Sequence, residues 1–262
     1  IKSLVSCIRY SKKNNINYGV YWEILDSYET NHHILNCGFS KLFKNKIEKQ
    51  QTENDIIYCS DCLKIEDSDN IPRNFNNFHS KCGKSFRGND KFKRNIDFMY
   101  SKIPMNVKLE YMKSFQELKP IDELQKRIDT FSKKFNSKTV SVHIRSWNRP
   151  NEQSRGNYLF NLYGFENEML KFKPEYKFFL STDSQEVRDY FTKRSKLKDR
   201  VILYNRETDL NSSRENEAGM QEDLIELYLL SKNKVMIGSH FSTFTEVSWW
   251  LGGCSPFIKI IS

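Results

Sequence analysis

A chain of 262 residues with 38% hydrophobic and 14% aromatic side chains can bury one large core or two small ones, which excludes a disordered or fibrous protein. Its formal charge of +9, from 42 basic and 33 acidic residues, favours anionic ligands, yet the lysines are scattered without a basic block, so the excess does not single out nucleic acid. No run approaches the roughly eighteen apolar residues of a membrane span, and the first residues lack the charged start and apolar run of a signal peptide; as given, the chain reads as soluble.

Ile1, Leu4, Val5 and Ile8 repeat at helical spacing, so the chain opens inside a helix over 1–14 with no strand before it. This start reads as a missing amino terminus, and it leaves both the Golgi lumen and the cytoplasm open as compartments. Strands are expected at 18–22 and 55–59, followed by a polar, aromatic-bearing stretch over 60–93. Cys59, Cys62, His79 and Cys82 run C-x2-C, then sixteen residues, then H-x2-C. That spacing suits a tetrahedral zinc site, or a disulfide between two of the three cysteines. Pro104 and Pro120 bracket a connecting region, and 121–135 reads as the helix leading into a second domain. The expected division is therefore a smaller α/β domain over 1–118 and a larger one over 119–262.

The second half alternates strand and helix regularly. Strands are expected at 139–144, 177–181, 200–204, 234–238 and 257–261, with helices at 158–172, 184–196, 217–231 and 243–251. Such alternation implies right-handed crossovers and an α/β fold with a doubly wound parallel sheet, Rossmann-like in organisation.

Two runs carry chemistry. In Glu222 to Val247, EDLIELYLLSKNKVMIGSHFSTFTEV, a helix and a short apolar strand end in a tight polar turn. Thr243 can cap the next helix there, with Glu246 completing a capping box. Amides and hydroxyls converging at that start, with the helix dipole, make an anion site; the plainer alternative is an ordinary capped helix. In VSVHIRSWNRP, a strand delivers His143 and Arg145 to its carboxyl end, both on one face. An arginine at that edge suits a pyrophosphate through its planar fork, or else pairs with a local carboxylate.

VHIR, then STDS, RVILYNRE, the EDLIELYLLS helix and the IGSHFSTFTEV turn resemble, in that order, the motifs of the fucosyltransferase-like glycosyltransferases. These include α1,2- and α1,6-fucosyltransferases, nodulation fucosyltransferases and protein O-fucosyltransferases. The resemblance implies the GT-B fold, two Rossmann-like domains facing a cleft, with GDP-fucose as donor and a glycan or glycoprotein as acceptor. It covers most of the chain and is weakest over 44–98. By position it implies that Arg145 holds the donor β-phosphate and His143 helps place the nucleotide. Asp223 would read the guanine ring, the plainer alternative being a first-turn acid that stabilises the helix dipole, and Ser242 and Thr243 would bind phosphate. Asp183 is expected as a nucleotide contact, or as the cap of the helix that follows it.

The pattern departs at the start, where the GLGNR-type loop that normally precedes the first helix is absent, and again after Arg145, which puts the α1,6 linkage in doubt. α1,6-type members carry a second arginine after Arg145, where this chain has Ser146. Trp147 in that loop is expected either to stack on a sugar or simply to pack.

Fucosyl transfer passes through an oxocarbenium-like transition state, so the site must absorb charge on the leaving diphosphate and take a proton from the acceptor. Arg145 and the helix start suit the first task without a metal or other cofactor. Asp67 and Asp69 have the DxD spelling of a metal-binding pair but follow no strand, and read as solvated surface. For the second task the loop offers Glu152; Glu23 and the pair His32 and His33 are further candidates in the first domain.

Overall fold

The computed structural model describes residues 105–147, 159–210, 216–240 and 242–261, together with residues 1, 4, 5, 8, 12, 15, 19, 20, 37–46, 48 and 49. The expected strand at 55–59, the Cys59, Cys62, His79, Cys82 group, Asp67 and Asp69, Glu23, His32 and His33, and Glu152 all lie outside the described residues. The chain divides into two compact units, Ile1–Ile121 and Asp122–Ser262, against an expected division near residue 118.

In the first unit, Leu4, Val5 and Ile8 are helical and buried, and Val5 N donates to Ile1 O at 2.9 Å. Two short strands, β1 (Gly19–Val20) and β2 (Glu48–Lys49), pair in parallel. The region expected as a connection between Pro104 and Pro120 is instead a helix, α1 (Met105–Glu117). Helix formers fill it, and Tyr111 and Phe115, four residues apart and 1% and 0% exposed, anchor one face. Its carboxyl end is tied down locally. Asn45 Nδ2 donates to Glu117 O and Asn45 Oδ1 accepts from Lys119 N, both at 2.8 Å.

The second unit is an α/β sandwich. Helix α2 (Asp122–Ser132) leads into strands β3 (Thr139–Ile144), β4 (Lys177–Thr182), β5 (Val201–Leu203), β6 (Val235–Ser239) and β7 (Phe257–Ile261). Between them come α3 (Leu162–Leu170), α4 (Gln185–Asp189), α5 (Glu217–Leu230) and α6 (Thr243–Leu251). All five strands are parallel, in the order β5-β4-β3-β6-β7. Val140, Val142, Ile144, Phe178 and Leu180 are fully buried, as expected for a sheet covered on both faces. Phe165 and Met169 of α3 and Phe191 complete this core. The helix expected over 184–196 is α4 continued by a π-helical turn, Tyr190–Arg194, whose end is held where Ser195 N bonds Tyr190 O at 2.8 Å.

The strand order matters for function. The chain winds outward from β3 to β4 and β5, then crosses back to β6 beside β3 and on to β7. The winding therefore reverses between β3 and β6, and the carboxyl ends of strands at such a reversal are where parallel α/β sheets bind ligands.

Candidate active site

Both runs singled out in the sequence end at this reversal point. Ile144 is the last residue of β3, Ser239 the last of β6, and α6 starts four residues later. Ser239 joins the two ends: its hydroxyl accepts from Arg145 N at 2.7 Å and donates to His143 O at 3.3 Å.

The N-cap of α6 is Ser242, not Thr243. A cap needs an extended backbone and an oxygen reaching the third helical amide, and Ser242 has φ −89° and ψ 115° with Oγ accepting from Thr245 N at 3.4 Å. Glu246 consequently falls one position too late for a capping box and is instead fully buried, accepting from Trp250 Nε1 at 3.4 Å. Thr243 becomes the first helical residue and is exposed. Its amide and that of Phe244 begin the helix, where no intrahelical acceptor exists.

His143 faces this cap. Its Nδ1 lies 2.8 Å from Thr245 Oγ1 and 3.4 Å from Ser242 Oγ, and its ring stacks on Phe244 with centroids 4.9 Å apart. An acceptor role for Nδ1 suits both hydroxyls and puts the ring proton on Nε2. Burial drives the imidazole down to about 4, with Asp183 pulling it up and Arg145 pushing it down, so it is neutral at physiological pH. It orders the helix start without adding charge. Thr245 was not anticipated; a β-branched hydroxyl on the buried side of a helix start is its only signal in the sequence.

Arg145 turns the other way, toward the residue after β4. Its Nη1 forms an ion pair with Asp183 Oδ2, while Asp183 Oδ1 accepts from Ser146 N at 2.8 Å. The guanidinium lies 5.3 Å from the centre of the Trp147 ring. Trp147 is 7% exposed and has a left-handed backbone, φ 55°; of the two expected roles it takes the packing one, with the ring beneath the arginine. Asp183 is not the cap of α4 either. Ser184 holds that position, with its hydroxyl accepting from Val187 N at 3.3 Å.

Helix α5 begins after β5, so its first turns lie at the same sheet edge, and Asp223 sits there, paired with Arg206 Nη1 at 2.8 Å. Around this pair is a charged group that the sequence reading missed. Arg206, only 2% exposed, also lies 3.5 Å from Glu222. Glu222 accepts from the amides of Glu207 at 2.7 Å and Thr208 at 3.1 Å. Burial raises Glu222, but the Thr208 hydroxyl and these amides outweigh it and hold the carboxyl below its usual range. Glu226, one turn on, accepts from Ser181 Oγ at 2.7 Å and Arg188 Nη2 at 3.1 Å. Burial pushes it up to about 7 against the pull of Arg206 and Arg188. Two glutamates four apart, the second inside the apolar run Leu224–Leu230, were the available signal.

No protein-family model and no curated protein matches the chain. Among solved structures, NodZ α-1,6-fucosyltransferase soaked with GDP-fucose is similar at 19% identity, covering 95% of this chain and 86% of that one, with a TM-score of 0.52. POFUT1 in complex with GDP is similar at 11% identity, covering 99% and 94%, with a TM-score of 0.50. The chain has the GT-B fold of these fucosyltransferases. On that fold, His143, Arg145, Asp183 and Ser242 gather where β3, β4 and β6 end, Thr243 opens α6 beside them, and Asp223 belongs to the Arg206 group.

Proposed function

We propose that this chain is a glycosyltransferase that moves fucose from GDP-fucose to a hydroxyl of a glycan or glycoprotein, with inversion and without a metal. The observation that carries the reading is the reversal of the sheet between β3 and β6, where the amide of Arg145 bonds Ser239 and α6 starts four residues further on. A guanidinium and a helix start that follow the ends of adjacent strands suit a diphosphate, whose charge grows as the sugar leaves.

In this reading Arg145 binds the β-phosphate, and the amides of Thr243 and Phe244 with the exposed Thr243 hydroxyl take the other phosphate oxygens. Neutral His143 holds Ser242 and Thr245 in place, so the helix start is set before the donor arrives. Asp223, 24% exposed and steadied by Arg206, is the carboxylate proposed to accept from the guanine ring N–H and amine. The acceptor hydroxyl must lose a proton as it attacks the anomeric carbon, and Glu152 is the residue proposed to receive it. Fixed positive groups stabilise the leaving diphosphate, which is the role a metal fills elsewhere.

The likeness to structures holding GDP-fucose and GDP supports the choice of donor. The test is a panel of GDP- and UDP-sugars incubated with the protein, scoring nucleotide release. Release from GDP-fucose above all others is expected; release from a UDP-sugar alone would overturn the donor assignment.

A further inference from the structure

The sequence suggests a nucleotide contact for Asp183, but its position argues for another role, one that rests on the functional reading above. Both carboxylate oxygens face inward: Oδ2 takes Arg145 Nη1 and Oδ1 takes Ser146 N at 2.8 Å. The arginine side chain is 11% exposed and the aspartate 19%, so the pair is largely withdrawn from water. A cation buried to that extent is costly without a counter-charge. The aspartate therefore makes the donor-free site tolerable, and by gripping both the guanidinium and the next amide it fixes the turn carrying Arg145. Ser239 on the amide of Arg145 and the Trp147 ring beneath its guanidinium complete the mount.

We infer that Asp183 is a positioning residue for Arg145: it orients the guanidinium for the diphosphate and at the same time competes with the diphosphate for its charge. A guanidinium has five N–H donors in a rigid fork, so it can keep one edge on Asp183 while another meets phosphate. The carboxylate nevertheless adds a negative charge beside an incoming anion. Orientation and affinity are thus set against each other at this one residue.

Asp183→Asn removes the charge: its amide oxygen still accepts from Ser146 N, while the amide nitrogen turned to Arg145 cannot accept from the guanidinium. Thermal melts of the ligand-free protein and calorimetric titration with GDP are measured for wild type, D183N, R145A and the double variant. Each single variant is expected to melt lower than wild type, and the double variant higher than R145A, because D183N removes the carboxylate stranded by loss of the arginine. GDP is expected to bind D183N roughly three- to tenfold more tightly than wild type, despite the lower melting temperature. A residue that only supports the fold would not raise affinity while lowering stability. Weaker GDP binding by D183N than by a wild type that does bind would overturn the inference and restore a direct nucleotide contact. No GDP binding by wild type would defeat the functional reading instead. In that case the melting cycle alone decides whether Asp183 holds Arg145, and additive losses would overturn that too.

Discussion

At the scale of single residues, two buried titratable groups lean in opposite directions. Glu226 has a native pKa of about 7 against an ordinary 4.5, so its stabilising contribution is fully present below 4.5 and is lost as pH rises through 7. His143 has a native pKa of about 4 against 6.5, so its contribution is present above 6.5 and lost as pH falls through 4. Between roughly 4.5 and 6.5 the two trends partly cancel. Replacing Glu226 by Gln removes one of them, so the melting-temperature deficit of E226Q relative to wild type should shrink between pH 5 and pH 8. A deficit that stays constant or grows would show that burial does not dominate at Glu226. Trp147 supports a second prediction. Its φ of 55° is a conformation that costs an L-residue about 1–2 kcal/mol and glycine little. Trp147→Ala should cost about 3–5 kcal/mol in urea unfolding through lost packing, and Trp147→Gly about 1 kcal/mol less, reversing the usual order of the two substitutions. The usual order would mean the turn is relaxed.

At the scale of elements, the close approach of β6 to α6 decides the geometry of the helix start. A Cβ on Gly238 would collide with Thr245 Cγ2 and lie 2.9 Å from its Oγ1, so only glycine lets Thr245 reach His143. Gly238→Ala should therefore destabilise the chain by about 1–3 kcal/mol and weaken GDP binding, as measured by urea unfolding and calorimetry; undiminished GDP binding would uncouple the helix start from the ligand. The elements of the second unit were legible because strand and helix periods alternate there: β3, β7 and α6 fall at their expected bounds. What escaped depends on tertiary packing. Helix α1 hides between two prolines with only a thin apolar stripe, and the π-helical turn after α4 is a register slip no periodicity announces. Ser242 displaced Thr243 as the cap by one residue, within the usual uncertainty of helix ends. Arg145 and His143 could be placed because a strand end fixes where a side chain emerges. The partners Asp183, Ser239 and Thr245 come from three different segments that only the folded sheet brings together.

For the whole molecule, the excess of nine positive charges sets a general preference for anions, but a specific site needs charge concentrated in a shielded place. The second unit meets that need at one edge of its sheet. Among the described residues, two groups of largely buried ion pairs lie there, Arg145 with Asp183 after β3 and β4, and Arg206 and Arg188 with Glu222, Asp223 and Glu226 around α5. In the first group Arg145 pairs with Asp183 close to the start of α6, which suits a diphosphate. The proposed function requires Arg145 and the start of α6 to grip that diphosphate together. The most direct measurement is the melting temperature of wild type and R145A with and without saturating GDP. Wild type should rise by several degrees and R145A not at all. An equal rise in both would remove Arg145 from the site and contradict the account.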